Sequence, residues 1–147
     1  MIRFNSKTIE YVWLSNMYIC VFVDKMNHGW NSVESYFQAH KCCCKDDFYN
    51  IMEMNSFEAK KAGRNVQMRN DWHDIKLDVM LYAIRLKFIQ NDLLKEKLLK
   101  TSDSELEEYA PWDKGGSYWG INADGIGENH TGKILMKVRG ELALGEI

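Results

Sequence analysis

The stretch Ser32-Val33-Glu34-Ser35-Tyr36-Phe37-Gln38-Ala39-His40-Lys41 decides how this chain is read. At helical spacing it puts Glu34, Gln38 and Lys41 at i, i+4 and i+7, so an acid, an amide and a base share one row. Val33, Tyr36, Phe37 and His40 fall beside that row. A surface helix ordinarily turns its charges away from its apolar stripe, whereas this polar row borders bulky aromatics, the pattern of a lined pocket. The competing reading is a solvated Glu/Lys edge, since charged rows usually face water.

Working outward, the periodicity stays helical. Asn55 with Glu58 three residues later predicts a capping box, and Gly63 a C-terminal stop, for a short helix over residues 56–62. Ile75, Val79, Ala83 and Leu86 recur at helical spacing through Gln90, and Leu94, Leu98 and Leu99 continue the pattern after Asn91-Asp92. A final helix from about Gly132 to Leu142 carries Leu135, Val138 and Leu142 on one side. Upstream, Tyr11-Val12-Trp13-Leu14 and Tyr18-Ile19-Cys20-Val21-Phe22-Val23 read as extended runs. Turn signals at Ser15-Asn16 and Asn27-His28-Gly29 separate them. The expected fold is mainly α, a compact multihelical single domain over residues 1–147 with a small β element near the N-terminus. A chain of 147 residues fits one core, and its single proline and lack of repeats leave no linker.

Composition narrows the function. Hydrophobic residues at 46% and charged residues at 27% fit a folded protein rather than a disordered one. A net charge of −2 provides no global field toward nucleic acid or an anionic membrane, so a nucleic-acid partner would be recognised locally. Met1 to Lys7 lacks the apolar core of a signal peptide and no stretch reaches bilayer length, which predicts a cytoplasmic protein without a membrane partner. Cys20 stands alone and Cys42-Cys43-Cys44 are adjacent, a spacing that suits neither a disulfide framework nor a zinc site. His40 and Cys44 would share a helix face, but two ligands without a second pair make a poor metal site.

Five tryptophans is a high count for this length, and all sit near helix starts or in loops, where an indole face can stack on a base or pin a loop to the core. Trp72, after Asp71, and Trp119, in a glycine-rich stretch that also holds Asp113, are the candidates for stacking. Residues 101–131 form a long glycine-bearing interval, a pattern more often functional than accidental. Gly127-Glu128-Asn129-His130-Thr131-Gly132-Lys133 nearly spells a phosphate-binding loop, but Ile134 stands where Ser or Thr should hold magnesium, and no apolar strand precedes it. These departures argue against an ATPase. A weaker reading survives, in which the start of the final helix and Lys133 hold a phosphate. Its competitor is a helix capped by Asn129 or Thr131 with Lys133 in water.

Several motifs occur together along the chain: Trp13-Leu14-Ser15-Asn16-Met17-Tyr18, the stretch from Ser32 to Lys41, Ala59-Lys60-Lys61-Ala62-Gly63-Arg64, Asp71-Trp72, Lys87-Phe88-Ile89-Gln90-Asn91, and Gly132-Lys133-Ile134-Leu135-Met136-Lys137-Val138-Arg139. In this order they resemble the NADAR (YbiA-like) family. That resemblance implies a mainly helical fold and N-glycosidase activity on ribosyl compounds. The implied substrates are phosphorylated ribosylamino-pyrimidine intermediates of riboflavin synthesis, or ADP-ribosylated guanine in nucleic acid. The matching positions that would line the family's pocket are Asn16, Glu34, Gln38, Lys41, Gly63, Arg64, Trp72, Asp113, Trp119, Gly120, Asn129 and Gly132. The chain departs from the pattern at Met17, Ser102 and Glu107, and Asp113 and Trp119 stand further apart than in the family's usual Asp-x-x-Trp-Gly.

On this reading Glu34 stabilises positive charge on the sugar and orients or deprotonates water. Lys41 binds phosphate or attacks the anomeric carbon. Asp113 contacts ribose hydroxyls or shares the acid/base work, Arg64 suits a phosphate, and Trp72 or Trp119 stacks on the base. The chemistry calls for no metal or organic cofactor. A single modified base could be reached as single-stranded nucleic acid. Two other readings stay open: a non-catalytic module binding ADP-ribose or a nucleotide, and a small helical interaction protein presenting Leu94, Leu98 and Leu99 as an apolar face.

Overall fold

The computed structural model describes residues 1–147 and is mainly α, with six helices and four strands of two or three residues. The chain divides into two compact units: Asn16–Asn91, and Met1–Ser15 together with Asp92–Ile147.

The Asn16–Asn91 unit opens with an antiparallel pair, β2 (Phe22–Val23) and β3 (Gly29–Trp30), in which Phe22 faces Trp30; strand β1 (Ile2–Phe4) lies in the other unit. The turn between them is tied by one buried carboxylate. Asp24 accepts from the Met26 and His28 amides and from the Trp30 indole, each at 2.9 Å. Asn27 sits in the left-handed region at φ 63°, as the turn signal predicts. Exposure alternates from Ile19 to Val23, so that run is extended as expected although only its end is hydrogen-bonded as strand.

Helix α1 (Val33–Lys41) starts where Ser32 accepts from the Ser35 amide at 3.1 Å, and it stops where Cys42 turns extended and bridges to Met68. It packs against α2 (Lys45–Met52), α3 (Ser56–Gly63) and α4 (Trp72–Ile89), and every residue from Val33 to Ala39 is buried. The capping box that starts α3 is present in both directions, Asn55 accepting from the Glu58 amide and Glu58 from the Asn55 amide. On α4 the buried face is Met80, Ala83, Ile84, Lys87 and Phe88. Helical spacing in the sequence predicts that stripe on Ile75, Val79, Ala83 and Leu86. Three of those four are half-buried, because Lys87 lies inside and displaces the face that an apolar count selects.

In the other unit, β1 (Ile2–Phe4) runs parallel to β4 (Leu106–Glu108), with Ile2 opposite Leu106. Neither strand is legible in the sequence, and β4 lies in the interval read as loop. The expected extended run at Tyr11–Leu14 is instead a 3₁₀ turn at Val12–Leu14 that buries Trp13 and Leu14 in succession, where a strand would alternate them. Helices α5 (Asp92–Lys100) and α6 (His130–Ala143) pack together, with Ile134, Leu135, Val138 and Leu142 buried on α6. Leu94 and Leu98 are also buried, which removes the interaction-protein reading that needed them exposed.

Asn129 joins β4 to α6. It is buried at φ 52°, its Oδ1 accepts from the Glu108 amide at 3.1 Å, and its Nδ2 donates to the Leu106 carbonyl at 2.9 Å. Asn129→Ala removes both of these hydrogen bonds at a position whose positive φ disfavours alanine. It should lower unfolding free energy by about 2 kcal/mol or more, as measured by urea denaturation.

Candidate active site

Within the Asn16–Asn91 unit the polar row of α1 faces inward. Glu34 is 8% exposed and Gln38 9%, so the solvated-edge reading does not hold. Gln38 Nε2 donates to Glu34 Oε1 at 2.8 Å, which orients the carboxylate from one turn along the same helix. The Glu34 amide donates to the Asn16 carbonyl at 3.0 Å, and Ser56 Oγ donates to the Met17 carbonyl at 2.7 Å. The Asn16 loop is thereby fixed to both α1 and α3. Lys41 Nζ donates to the Gly63 carbonyl at 2.7 Å. Gly63 has no room for a side chain, because a Cβ there would collide with Gln38 Oε1. Asn16, Glu34, Gln38, Lys41 and Gly63 thus form one cluster. Two of its buried oxygens, Asn16 Oδ1 and Gln38 Oε1, accept no hydrogen bond.

Burial pushes the Glu34 carboxyl above the ordinary carboxylate range, against the opposing pull of the Gln38 hydrogen bond and then of the Lys60 and Lys41 charges. Nothing in the sequence singles out Lys60 as a neighbour of Glu34. Its neighbour Lys61 is exposed while Lys60 is half-buried, and nothing in the Lys60-Lys61 pair tells them apart before the helix is oriented. Arg64 is exposed at the end of α3, open to an anion from solvent. Trp72 differs from its expected role. It is 4% exposed with its ring 4.8 Å from that of Phe37, so it packs in the core and presents no open face for stacking.

His40 lies among aromatic rings, 3.9 Å from that of Tyr36, with Nδ1 donating to the Tyr36 carbonyl at 2.7 Å. Burial pushes its pKa down. Cys44 caps α2 by accepting from the Asp47 amide. The two residues suggested by helical spacing as a metal pair therefore have separate structural partners.

In the other unit, Asp113 is half-buried, and its backbone carbonyl accepts from Asn122 Nδ2 at 3.0 Å. Trp119 is half-buried, edge-on to Tyr118 at 4.8 Å. The Gly120 carbonyl accepts from the Asn129 amide at 3.1 Å, and a Cβ on Gly132 would strike the Leu106 carbonyl. Gly120, Asn129 and Gly132 therefore hold a backbone seam between loop, β4 and α6. The phosphate reading of the α6 start fails on the same geometry. The His130 and Thr131 amides donate to the Tyr118 and Trp119 carbonyls at 3.2 and 3.0 Å, and Lys133 points to solvent. Asn129 does not cap α6 with its side chain either, since that amide is engaged with β4.

The chain matches the NADAR domain over residues 3–143. It belongs to the NADAR family. It is 33% identical to N-glycosidase YbiA of Shigella flexneri over 98% of this chain and 89% of that protein. It is 39% identical to an N-glycosidase of Nostoc punctiforme over 77% of this chain and 74% of that one. A riboflavin biosynthesis protein of Vibrio vulnificus is 37% identical over 88% of this chain, which spans only 35% of that relative's length. The NMR structure of YbiA from Escherichia coli superposes with a TM-score of 0.88 at 31% identity, covering 99% of this chain and 86% of the other. Family and full-length relatives place the chain among the N-glycosidase enzymes.

For a NADAR enzyme the Glu34 cluster offers a buried acid with a fixed orientation, two nearby cationic side chains and two unused acceptors. Burial raises the folded-state carboxyl above its unfolded value. The folded chain then holds the extra proton within that window, and wild-type stability falls as pH rises through it. Glu34→Gln keeps the bond from Gln38 and removes the buried charge. It should raise the melting temperature at about pH 7 and give little gain at about pH 4, measured by thermal denaturation across pH.

Proposed function

We propose that the Glu34 cluster hydrolyses the bond between a base or amine nitrogen and the anomeric carbon of a phosphorylated ribose. The observation that carries this reading is the buried, Gln38-oriented Glu34 carboxylate with unpaired acceptors beside it. Leaving-group departure builds positive charge on the sugar, and a carboxylate in low dielectric stabilises that charge strongly. Water adds to the anomeric carbon as the C–N bond breaks, its proton passes to Glu34, and Glu34 returns that proton to the departing nitrogen. A base with a raised pKa is better matched to this transfer near neutral pH than an ordinary carboxylate. Asn16 Oδ1 and Gln38 Oε1 can accept from sugar hydroxyls, and Arg64 can meet a phosphate from solvent.

Lys41 serves in one of two ways that a chemical trap separates. As an ammonium it donates to a phosphate oxygen. As a free amine it displaces the base and forms an imine with the opened sugar, which borohydride reduction would fix to Lys41. The names of the Vibrio vulnificus relative and of a riboflavin biosynthesis protein of Zea mays favour a ribosylamino-pyrimidine phosphate of riboflavin synthesis, handled in the cytoplasm. The net charge of −2 agrees with a small soluble substrate. ADP-ribosylated guanine is the second substrate, and binding without cleavage is the second reading of the site.

Glu34→Gln should lower kcat/KM by about a hundred- to ten-thousandfold with the fold retained, followed by mass spectrometry of base release from both substrates. Asp113→Asn and Trp119→Ala test, by the same readout, the roles that family resemblance gives those two residues. ADP-ribose binding without release of any base would replace hydrolysis with the binding-module reading.

A further inference from the structure

Helix α3 meets α1 along one row, with Ser56, Lys60 and Gly63 at i, i+4 and i+7. Both ends of that row touch the Glu34 cluster. Ser56 Oγ donates to the Met17 carbonyl, next to the Asn16 carbonyl that receives the Glu34 amide. Gly63 lies against Gln38 Oε1, and its carbonyl accepts from Lys41 Nζ. Lys60 is one turn from each of these contacts, so the row carries it to the level of Glu34 and Gln38. There it is half-buried, while Lys61 beside it and Arg64 at the end of α3 are exposed.

The two cations near Glu34 are held differently. Lys41 donates to the Gly63 carbonyl, whereas no hydrogen bond or ion pair ties the Lys60 ammonium to another residue. Of the two, Lys60 pulls harder against the burial that raises the Glu34 carboxyl. Other charged groups on the surrounding elements face elsewhere. His40 lies against Tyr36 and Phe48, and Asp47 of α2 acts on Cys42. Glu58 of α3 closes its capping box with Asn55, and Lys87 of α4 sits over the Tyr18 ring.

We propose that Lys60 is a positioning residue, whose ammonium on the inner row of α3 keeps the buried Glu34 side chain ionised at neutral pH. The inference rests on the hydrolase reading for its consequence in turnover. A carboxyl that has already taken a proton cannot accept one from water, so burial without a cation beside it would disarm the base. Lys41 cannot supply that charge in every route. As a free amine attacking the sugar it is neutral, and Lys60 is then the cation left beside Glu34.

The test titrates the Glu34 side-chain carboxyl by carbon-detected NMR in wild type, Lys60→Gln, Lys60→Arg and Lys61→Gln, and follows kcat/KM for base release across pH in the same proteins. In Lys60→Gln the Glu34 midpoint should rise by about one pH unit, the low end of what a nearby opposite charge produces, because Lys60 is only half-buried. Lys60→Arg and Lys61→Gln should stay at the wild-type value. The loss of activity on acidification should set in about one pH unit higher in Lys60→Gln than in wild type. Lys60→Met, which keeps the aliphatic stem, takes the place of Lys60→Gln should that variant fail to fold. An unmoved midpoint, an equal rise in Lys60→Arg, or a kcat/KM lowered equally at every pH overturns the proposal. Absence of hydrolysis in the wild type would count against the enzyme reading alone, because the titration decides the coupling of Lys60 to Glu34 without turnover.

Discussion

Burying one carboxylate on the inner side of a helix is the constraint around which the Asn16–Asn91 unit is arranged. A glutamate removed from water needs hydrogen bonds and opposite charge nearby, or it takes up a proton. Here α1 supplies Gln38 one turn away, α3 brings Lys60, and Lys41 closes the row. Gly63 lets the end of α3 come against Gln38 without a side chain between them. None of this maximises stability. Neutral residues of similar shape would pack at lower cost, and functional sites are where such violations of local rules are expected.

The elements that hold the cluster are themselves over-determined. Ser32 fixes the first turn of α1, the Asn16 carbonyl receives the Glu34 amide, and Ser56 ties the same loop to α3. Asp24 plays a parallel role in the β2–β3 turn. Burial alone would raise its pKa, but hydrogen bonds from the Trp30 indole and from the His28 and Met26 amides outweigh that and hold it low. Two buried carboxyls in one unit therefore differ in character. Asp24 is saturated with donors and is held low, whereas Glu34 has one donor and burial pushes it up.

Legibility in the sequence followed the range of the interactions involved. The polar row of α1, the Asn55–Glu58 box and the apolar faces of α5 and α6 rest on contacts within a few residues, and all are visible as spacing. The β1–β4 pairing joins three-residue strands about a hundred positions apart, too short for a period to show. On α4 a buried lysine interrupts the apolar count, so spacing alone points to a neighbouring face. Resemblance to the NADAR family named the residues of the Glu34 cluster apart from Lys60. It could not foresee that Trp72 packs on Phe37, or that Asn129 and Gly132 serve the β4–α6 seam. Those distinctions depend on which neighbour each side chain meets, and a motif does not carry that information.

The central claim is that Glu34 is a buried carboxyl kept ready for proton transfer. Carbon-detected NMR of the side-chain carboxyls across pH measures this directly, with the Glu34 resonance assigned by its loss in Glu34→Gln. The account predicts a midpoint above the ordinary glutamate value of about 4.3. A midpoint at or below that value would show a solvated or permanently ionised Glu34 and contradict it.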